Sequence, residues 1–202
     1  MGWILTILIA VIFLLVVFLI NFYRDPVRNV PKGNNIVSPA DGKIISIIDT
    51  SNKELKISKG LFGKIRTISS DISKECLAIS IFMSPLDVHV NRAPIEGTVK
   101  LINHKEGKFF RAFDLEKSLE NEKNEIIIEN KNIKVKMIQI AGFLARRIKC
   151  NVHENQKLNK GQRVGMITLG SQVTLVVPKG VELKVNSGQR VKAGESIIAL
   201  VI

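Results

Sequence analysis

The sequence predicts a mainly β protein that carries one membrane helix at its N-terminus, and three observations support this fold class. Residues 1–23 contain no charged side chain, whereas every Lys, Arg, Asp and Glu of the chain follows them. From residue 36 onward, apolar residues alternate with polar ones or form short runs, which is typical of strands. Glycine and proline separate these runs, as expected of tight turns. The chain is therefore divided into an anchor helix over 1–23, a basic juxtamembrane linker over 24–35 and a β domain over 36–202.

The first element, residues 1–23, has the length and composition of a membrane-spanning helix. About 20 consecutive apolar residues cross the hydrocarbon core of a bilayer. A secretory signal has a basic start and small residues at its cleavage site, but this segment has no basic start and ends Asn21-Phe22-Tyr23. Trp3 and Tyr23 suit the two membrane interfaces. We predict an uncleaved anchor; the alternative is a buried helix of a soluble protein.

Basic residues follow the anchor directly, at Arg24, Arg28 and Lys32. Because Lys and Arg beside a membrane helix favour the cytoplasmic side, the β domain is expected in the cytoplasm, attached to the inner (cell) membrane.

The charge balance predicts an anionic partner. The chain has 30 Lys and Arg against 18 Asp and Glu, a formal net charge of +12. Such an excess attracts either nucleic acid or anionic lipid. Few aromatic residues lie beyond the anchor, so few side chains are available to stack on the bases of single-stranded nucleic acid. We therefore expect anionic phospholipid and no nucleic acid as partner; lysines that only solubilise a β domain are the alternative.

The β domain contains six predicted strands, over residues 43–48, 77–82, 125–129, 133–140, 173–177 and 196–202. Residues 114–124 fit either an amphipathic helix or a mobile loop. Two cysteines, Cys76 and Cys150, are too few for a disulfide framework and are not spaced like a zinc site. We expect buried free thiols and no metal.

Two short internal sequence repeats, which we call echoes, narrow the range of possible folds. Residues 38–44 (SPADGKI) resemble 93–99 (APIEGTV), and Gly-Gln-Arg-Val occurs both at 161–164 and at 188–191. Each echo is a turn that leads into a strand. These corners resemble those of lipoyl and biotinyl carrier domains, so a barrel-sandwich-hybrid-like β domain is expected. Lys136 is the nearest counterpart of the cofactor lysine of such carriers, but it lies within an alternating strand and is predicted to be solvated.

Two polar segments carry candidate acid–base residues. Asp41 ends the tight turn at 38–42, where the alternative role of its carboxylate is to cap its own turn. His89 follows a predicted strand, and an imidazole that gains and loses a proton near neutral pH suits a general acid or base. The alternative for His89 is a hydrogen bond to local backbone. His104 and His153 lie in more charged surroundings and are expected at the surface.

Two further segments carry a possible anion site and a possible nucleophile. Arg146 and Arg147 follow a glycine-containing apolar run, and guanidinium groups bind phosphodiesters or carboxylates through paired hydrogen bonds. Gly170 and Ser171 lie between two predicted strands, where such a pair is usually only a turn. A glycine lets the backbone bend and so exposes its carbonyl to the following serine hydroxyl.

Five segments, taken in order, resemble the short form of phosphatidylserine decarboxylase, a pyruvoyl-dependent family of bacteria and archaea. They are residues 22–26 (FYRDP), residues 38–42 (SPADG), the segment around His89, residues 139–147 and residues 165–171. The resemblance implies a zymogen that cleaves itself between Gly170 and Ser171 into a β chain (1–170) and an α chain (171–202), which stay together as a heterodimer. It implies one cofactor, a pyruvoyl group made from Ser171.

The resemblance also implies a reaction and residue roles. Phosphatidylserine would become phosphatidylethanolamine and CO2 through a Schiff base with the pyruvoyl group. His89 is the expected proton donor to the resulting carbanion, Asp41 is expected to assist self-cleavage, and Arg146 and Arg147 are expected to bind substrate. Longer family members carry a second histidine three residues after the first, where this chain has Arg92. Either His89 serves both steps or Asp41 acts without a histidine.

Two alternative functions remain open from the sequence. One is decarboxylation of another serine phospholipid, such as archaetidylserine, whose ether-linked chains leave the headgroup chemistry unchanged. The other is a non-enzymatic membrane-fusion adaptor, which also joins an anchor to a lipoyl-like domain. Adaptors usually insert a long heptad-bearing helical hairpin between the lipoyl halves, and the sequence contains no such segment.

Overall fold

The computed structural model describes residues 2–51, 55–58, 64–67, 71–106, 122–142, 147–168 and 171–202. Within these ranges the chain forms one helix and a series of short strands. The helix is α1 (Gly2–Phe22), and the strands are β1 (Asn35–Val37), β2 (Gly42–Ser51), β3 (Leu55–Ser58), β4 (Lys64–Thr67), β5 (Glu75–Met83), β6 (Val90–Arg92), β7 (Gly97–Lys105), β8 (Lys123–Glu129), β9 (Lys134–Ile140), β10 (Arg147–Cys150), β11 (Lys157–Leu158), β12 (Arg163–Thr168), β13 (Ser171–Pro178), β14 (Val181–Leu183), β15 (Arg190–Val191) and β16 (Ile197–Val201).

Helix α1 is long and apolar enough to cross a membrane. Its side chains are exposed along most of its length, and Phe22 at its C-terminal end is the one that is fully buried. A helix that is apolar on all sides and packs on the protein only at its end matches a bilayer span rather than a core helix.

The β domain is built on an eight-stranded antiparallel sheet in the order β11-β7-β8-β9-β13-β5-β2-β15, which curls into a half-barrel. Two three-stranded sheets, β1-β16-β14 and β10-β12-β6, and the hairpin β3-β4 complete the described strands. All six predicted strands are present, as β2, β5, β8, β9, β13 and β16, so the mainly β prediction is confirmed. Of the segment 114–124, residues 114–121 lie outside the described residues, and Lys123 and Asn124 begin β8.

The first internal echo marks two equivalent corners of the fold. Gly42 begins β2 and Gly97 begins β7, and both strands bulge shortly after their first residues. A Cβ at Gly42 would lie 2.2 Å from the carbonyl oxygen of Phe82, and one at Gly97 would lie 2.5 Å from that of Glu129. Only glycine allows this approach of a neighbouring backbone.

The second echo forms two equivalent turns. In one turn, the amide side chain of Gln162 accepts a hydrogen bond from the backbone N–H of Asn159 at 2.9 Å. In the other, Gln189 accepts one from the backbone N–H of Asn186 at 3.2 Å. The repeated corners and the curled sheet confirm the barrel-sandwich-like fold predicted from the sequence.

One side of the main sheet packs in the core, which consists chiefly of isoleucine and valine. The other side carries a smaller apolar cluster that includes Cys76, whose burial raises the pKa of its thiol. Cys76 is buried, as predicted, whereas Cys150 is half-buried, and neither of them forms a disulfide. The prediction of a solvated Lys136 was wrong: its side chain is 1% exposed and forms ion pairs with Asp71 and Glu125.

Candidate active site

His89 lies in the connection from β5 to β6 and is completely buried. Its Nδ1 is 2.8 Å from the carbonyl oxygen of Asp87. Because a carbonyl oxygen only accepts, Nδ1 carries the proton of the neutral ring. The other nitrogen, Nε2, is buried and has no hydrogen-bond partner among the residues that the structure describes. The ring therefore presents a free lone pair, which is what a general base needs.

The surroundings of His89 favour its neutral form. Burial is the main influence and lowers the pKa of the imidazole below its ordinary value, and the positive charge of Arg24 acts in the same direction. The backbone carbonyl of Asp87 and the carboxylates of Asp87 and Asp41 oppose this shift. Burial prevails because it removes the water that would solvate an imidazolium ion.

The end of helix α1 covers His89. The ring centroid of Phe22 lies 4.2 Å from that of His89, with 34° between the ring planes. Tyr23 contacts Phe22 edge-on, at a centroid distance of 5.2 Å. The residue that ends the membrane-length helix thus forms one wall of the histidine site.

Ser171 begins β13, an interior strand of the main sheet. Its side chain is fully buried, and its Oγ has no hydrogen-bond partner within the described part of the chain. Buried hydroxyl groups nearly always have partners, so an unpaired one calls for a functional explanation. Gly170 lies outside the described residues, so the predicted cleavage bond joins Ser171 to an undescribed position.

Three buried amide side chains link the surroundings of Ser171 and His89. Ser171 lies opposite Met83 in the β13–β5 ladder, and the sulfur of Met83 is 3.8 Å from Nδ2 of Asn91, which follows His89 by two residues. Gln139 donates to Asn91 Oδ1 at 2.9 Å and accepts from Asn124 Nδ2 at 2.9 Å. This amide row was not predicted from the sequence, although Asn91 and Asn124 are polar residues beside apolar strand positions.

Asp41 is held by two groups. Arg28 Nη2 donates to both carboxylate oxygens, at 2.9 and 3.0 Å, and the backbone N–H of Ala193 donates to Oδ1 at 2.8 Å. The side chain of Arg28 is 5% exposed and that of Asp41 is 13% exposed. Arg28, a residue of the predicted linker, therefore fixes the carboxylate of the SPADG turn.

Arg92, which stands where longer family members have a histidine, forms contacts within the protein. Its guanidinium donates to the carbonyl oxygens of Gly161 and Pro26 and to the Asp25 carboxylate at 2.6 Å. Asp25 also pairs with Arg163. Arg92 thus ties the segment after α1 to the β domain and is engaged by this structural role.

The remaining candidate residues lie in different settings. Arg146 lies outside the described residues. Arg147 is exposed and lies opposite Thr168, three residues before Ser171. His104 Nε2 lies 3.2 Å from a carboxylate oxygen of Glu122, and both His104 and His153 are exposed, as predicted. Among the described residues, no group of His, Cys, Asp and Glu is arranged to hold a metal ion.

Comparison with known proteins places this chain in a family. The family model for phosphatidylserine decarboxylase matches residues 15–199. A Methanocaldococcus jannaschii protein, provisionally named an archaetidylserine decarboxylase proenzyme, is 43% identical over 187 residues, which cover 92% of this chain and 91% of that protein. Phosphatidylserine decarboxylase proenzymes of Chlorobium limicola and Wolbachia pipientis are 42% and 44% identical, and the matches cover 95% and 88% of this chain and 82% and 73% of those proteins. The chain belongs to the phosphatidylserine decarboxylase family.

Proposed function

We propose that this protein is a zymogen that makes a pyruvoyl group from Ser171 and uses it to convert phosphatidylserine to phosphatidylethanolamine and CO2. The observation that carries the proposal is the buried Ser171 hydroxyl, which has no partner among the described residues at the first position of an interior strand. Relatives named as decarboxylase proenzymes support it, because a proenzyme requires a maturation step.

Self-cleavage at Gly170–Ser171 starts from the Ser171 hydroxyl. Its oxygen attacks the Gly170 carbonyl carbon, a C–O bond forms, the C–N bond breaks, and the proton of the hydroxyl ends on the released nitrogen. The ester then eliminates: a base removes the Cα proton of residue 171, the bond from Cβ to oxygen breaks, Gly170 leaves as a carboxylate, and residue 171 becomes dehydroalanine. Water replaces its nitrogen, which leaves as ammonia, and a pyruvoyl cap remains on the α chain.

His89 is the base that we propose for this step. Its neutral form and its free Nε2 suit proton acceptance from a buried hydroxyl. Asp41 is proposed to assist, since its negative charge favours the imidazolium that forms when His89 takes the proton. This division of roles requires no second histidine and is therefore compatible with Arg92.

In the decarboxylation itself, the pyruvoyl carbonyl would supply an electron-withdrawing group with which the lipid amine could combine, and it would take up the electron pair that stays on carbon when CO2 leaves. The lipid ammonium would lose protons as it combines with the carbonyl, and the neutral Nε2 of His89 is proposed to accept one of them and then to deliver it to the carbon that has lost the carboxylate. Arg146 and Arg147 are proposed to bind the phosphodiester or carboxylate of the headgroup. The substrate is therefore an anionic lipid.

We propose that α1 spans the inner membrane and that the β domain lies on its cytoplasmic face. The contact between Phe22 and His89 supports this placement, because it puts the acid–base residue at the end of the membrane helix, where lipid headgroups lie. Residues 1–170 and 171–202 are proposed to remain joined as a heterodimer through the sheet ladders of β13, β15 and β16.

Archaetidylserine is the second candidate substrate, and the provisional name of the Methanocaldococcus jannaschii relative favours it. The two lipids share the serine headgroup and differ in their tails. Purified protein in vesicles that contain one lipid or the other distinguishes them by the rate of CO2 release.

Intact-mass analysis of the purified chain tests the central proposal. We expect two pieces, with the smaller one beginning at residue 171 and carrying a ketone that borohydride reduces. A chain that remains whole and releases no CO2 from either lipid would contradict the enzyme and return the adaptor alternative to first place.

A further inference from the structure

Four exposed side chains form a patch beside the C-terminal end of α1, which we call the juxtamembrane patch. Its apolar members are Leu86, 67% exposed, and Phe82, 42% exposed. Its basic members are Lys43 and Arg190, both exposed. None of these residues has a place in the proposed catalytic machinery.

The strand register brings three members of the patch side by side. In the β2–β5 ladder Lys43 lies opposite Phe82, and in the β15–β2 ladder Arg190 lies opposite Lys43. Residues directly opposite in an antiparallel sheet project from the same face. Arg190, Lys43 and Phe82 therefore form a row across three strands on one face of the sheet.

The turn at residues 84–87 fixes Leu86 next to this row. The Asp87 carboxylate accepts hydrogen bonds from the backbone N–H and the hydroxyl of Ser84, at 2.8 and 2.7 Å, and pairs with the Arg190 guanidinium. These bonds close the turn and join it to β15. Leu86 is consequently held outward rather than folded onto the domain.

Arg24 joins the same turn to the end of the membrane helix. Its guanidinium donates to the carbonyl oxygen of Asn21 at 2.6 Å and to that of Leu86 at 2.7 Å. An arginine just beyond a membrane helix places its charge among the headgroups. Leu86 is therefore presented at the level where the headgroups meet the acyl chains.

We infer that the juxtamembrane patch is a second membrane contact that binds an anionic lipid surface, with Leu86 and Phe82 in the interface and Lys43 and Arg190 on the phosphates. The assignment rests on the membrane placement in the proposed function. An apolar tip flanked by basic residues is the composition of surfaces that lie in a bilayer interface. Lys43 is exposed, and the side chain of Arg190 remains 66% exposed beside Asp87, so both side chains can reach lipid phosphate.

Tryptophan quenching by brominated lipids tests this contact. The chain has one tryptophan, Trp3, so a Trp3→Phe, Leu86→Trp variant carries a single reporter in the turn. The full-length protein is placed in vesicles of phosphatidylcholine and phosphatidylglycerol, with and without bromine on the upper acyl chain. Because phosphatidylglycerol has no serine headgroup, the test does not depend on decarboxylation.

We expect bromine to reduce the emission at position 86, and more strongly as the phosphatidylglycerol fraction rises. The matched control is Trp3→Phe with Ile48→Trp, which places the reporter at an exposed apolar site in the same strand as Lys43, about 16 Å away. Its emission should not change. Adding Lys43→Glu to the Leu86→Trp variant should weaken the quenching, and adding Lys100→Glu, an exposed lysine of β7, should not.

Equal quenching at positions 86 and 48 would overturn the contact. A blue-shifted reporter at position 86 that bromine does not quench would also overturn it, because it would indicate a protein partner or a second copy of the chain. Quenching at position 86 that depends neither on the phosphatidylglycerol fraction nor on Lys43→Glu would contradict the inference that the partner surface is anionic. Trp3 of the unaltered chain separates these results from a failed membrane placement: quenching at Trp3 but not at position 86 contradicts the patch alone.

Discussion

The ring of Phe22 lies over the ring of His89, with 4.2 Å between their centroids. One residue belongs to a helix that is long and apolar enough to cross a membrane, and the other is the buried histidine of the candidate site. Besides having the length and composition of a membrane span, the helix therefore covers the candidate histidine. It supplies part of the burial that lowers the pKa of His89.

Replacing Phe22 should shift the pH dependence of self-cleavage. In Phe22→Ala, water reaches the imidazole, so the pKa of His89 rises towards its ordinary value of about 6.5. A base acts in its neutral form, and the rate falls as the pH drops through this pKa. The acid limb of the pH–rate profile should therefore move to higher pH, as measured by the appearance of the α chain in a gel-based time course.

Phe22→Leu, which keeps an apolar cover, should restore most of the original profile. Phe13→Ala removes an exposed ring from the same helix and should leave the profile unchanged. An identical shift in Phe13→Ala would mean that the helix, rather than the ring on His89, sets the pH dependence.

Removing the Ser171 hydroxyl should prevent maturation. We expect Ser171→Ala to remain one 202-residue species without a ketone, and Ser171→Cys, which keeps a nucleophile, to cleave slowly. Intact mass reads out both results. Ser80→Ala is the matched control: it removes another buried hydroxyl, which bonds to Thr174 Oγ1 at 3.1 Å, and it should still cleave. Cleavage of Ser171→Ala would exclude this residue as the nucleophile.

Replacing His89 should abolish decarboxylation, and replacing the exposed His153 should not. A general acid or base typically contributes about 10²–10⁴-fold to a rate. We expect His89→Ala to lose at least that factor in CO2 release from phosphatidylserine vesicles, with the amount of cleaved protein measured in parallel. Equal activity of His89→Ala and His153→Ala would remove His89 from the mechanism.

The amide row should contribute to stability. Gln139→Ala leaves Asn91 Oδ1 and Asn124 Nδ2 without their partner in a buried setting. An orphaned buried polar group costs about 1–3 kcal/mol, so thermal unfolding of the variant in detergent should occur at a clearly lower temperature. Asn132→Ala, at an exposed turn position, should change the midpoint little. A Gln139→Ala midpoint equal to that of Asn132→Ala would mean that water satisfies the row.

The strands could be predicted because their signals are local: alternation and turn residues lie within a few positions of one another. The site could not be predicted in this way, because it depends on contacts between distant parts of the chain. Arg28 meets Asp41, and Phe22 meets His89, across separations that no local pattern encodes. The wrong prediction for Lys136 has the same cause, since Glu125 reaches it only because β8 and β9 pair in register.

The position of β13 inside the main sheet limits when the proposed self-cleavage can occur. Residues 171–202 are interleaved with the rest: β13 lies between β9 and β5, β15 pairs with β2, and β16 pairs with β1. If the bond before Ser171 were cut before these ladders form, residues 171–202 would be a separate fragment. That fragment would have to pair with three different parts of the domain. We therefore expect the covalent connection at Gly170–Ser171 to be needed during folding and to become dispensable once the proposed cleavage has taken place. The reactive ketone that we propose consequently arises only in a molecule that is already assembled.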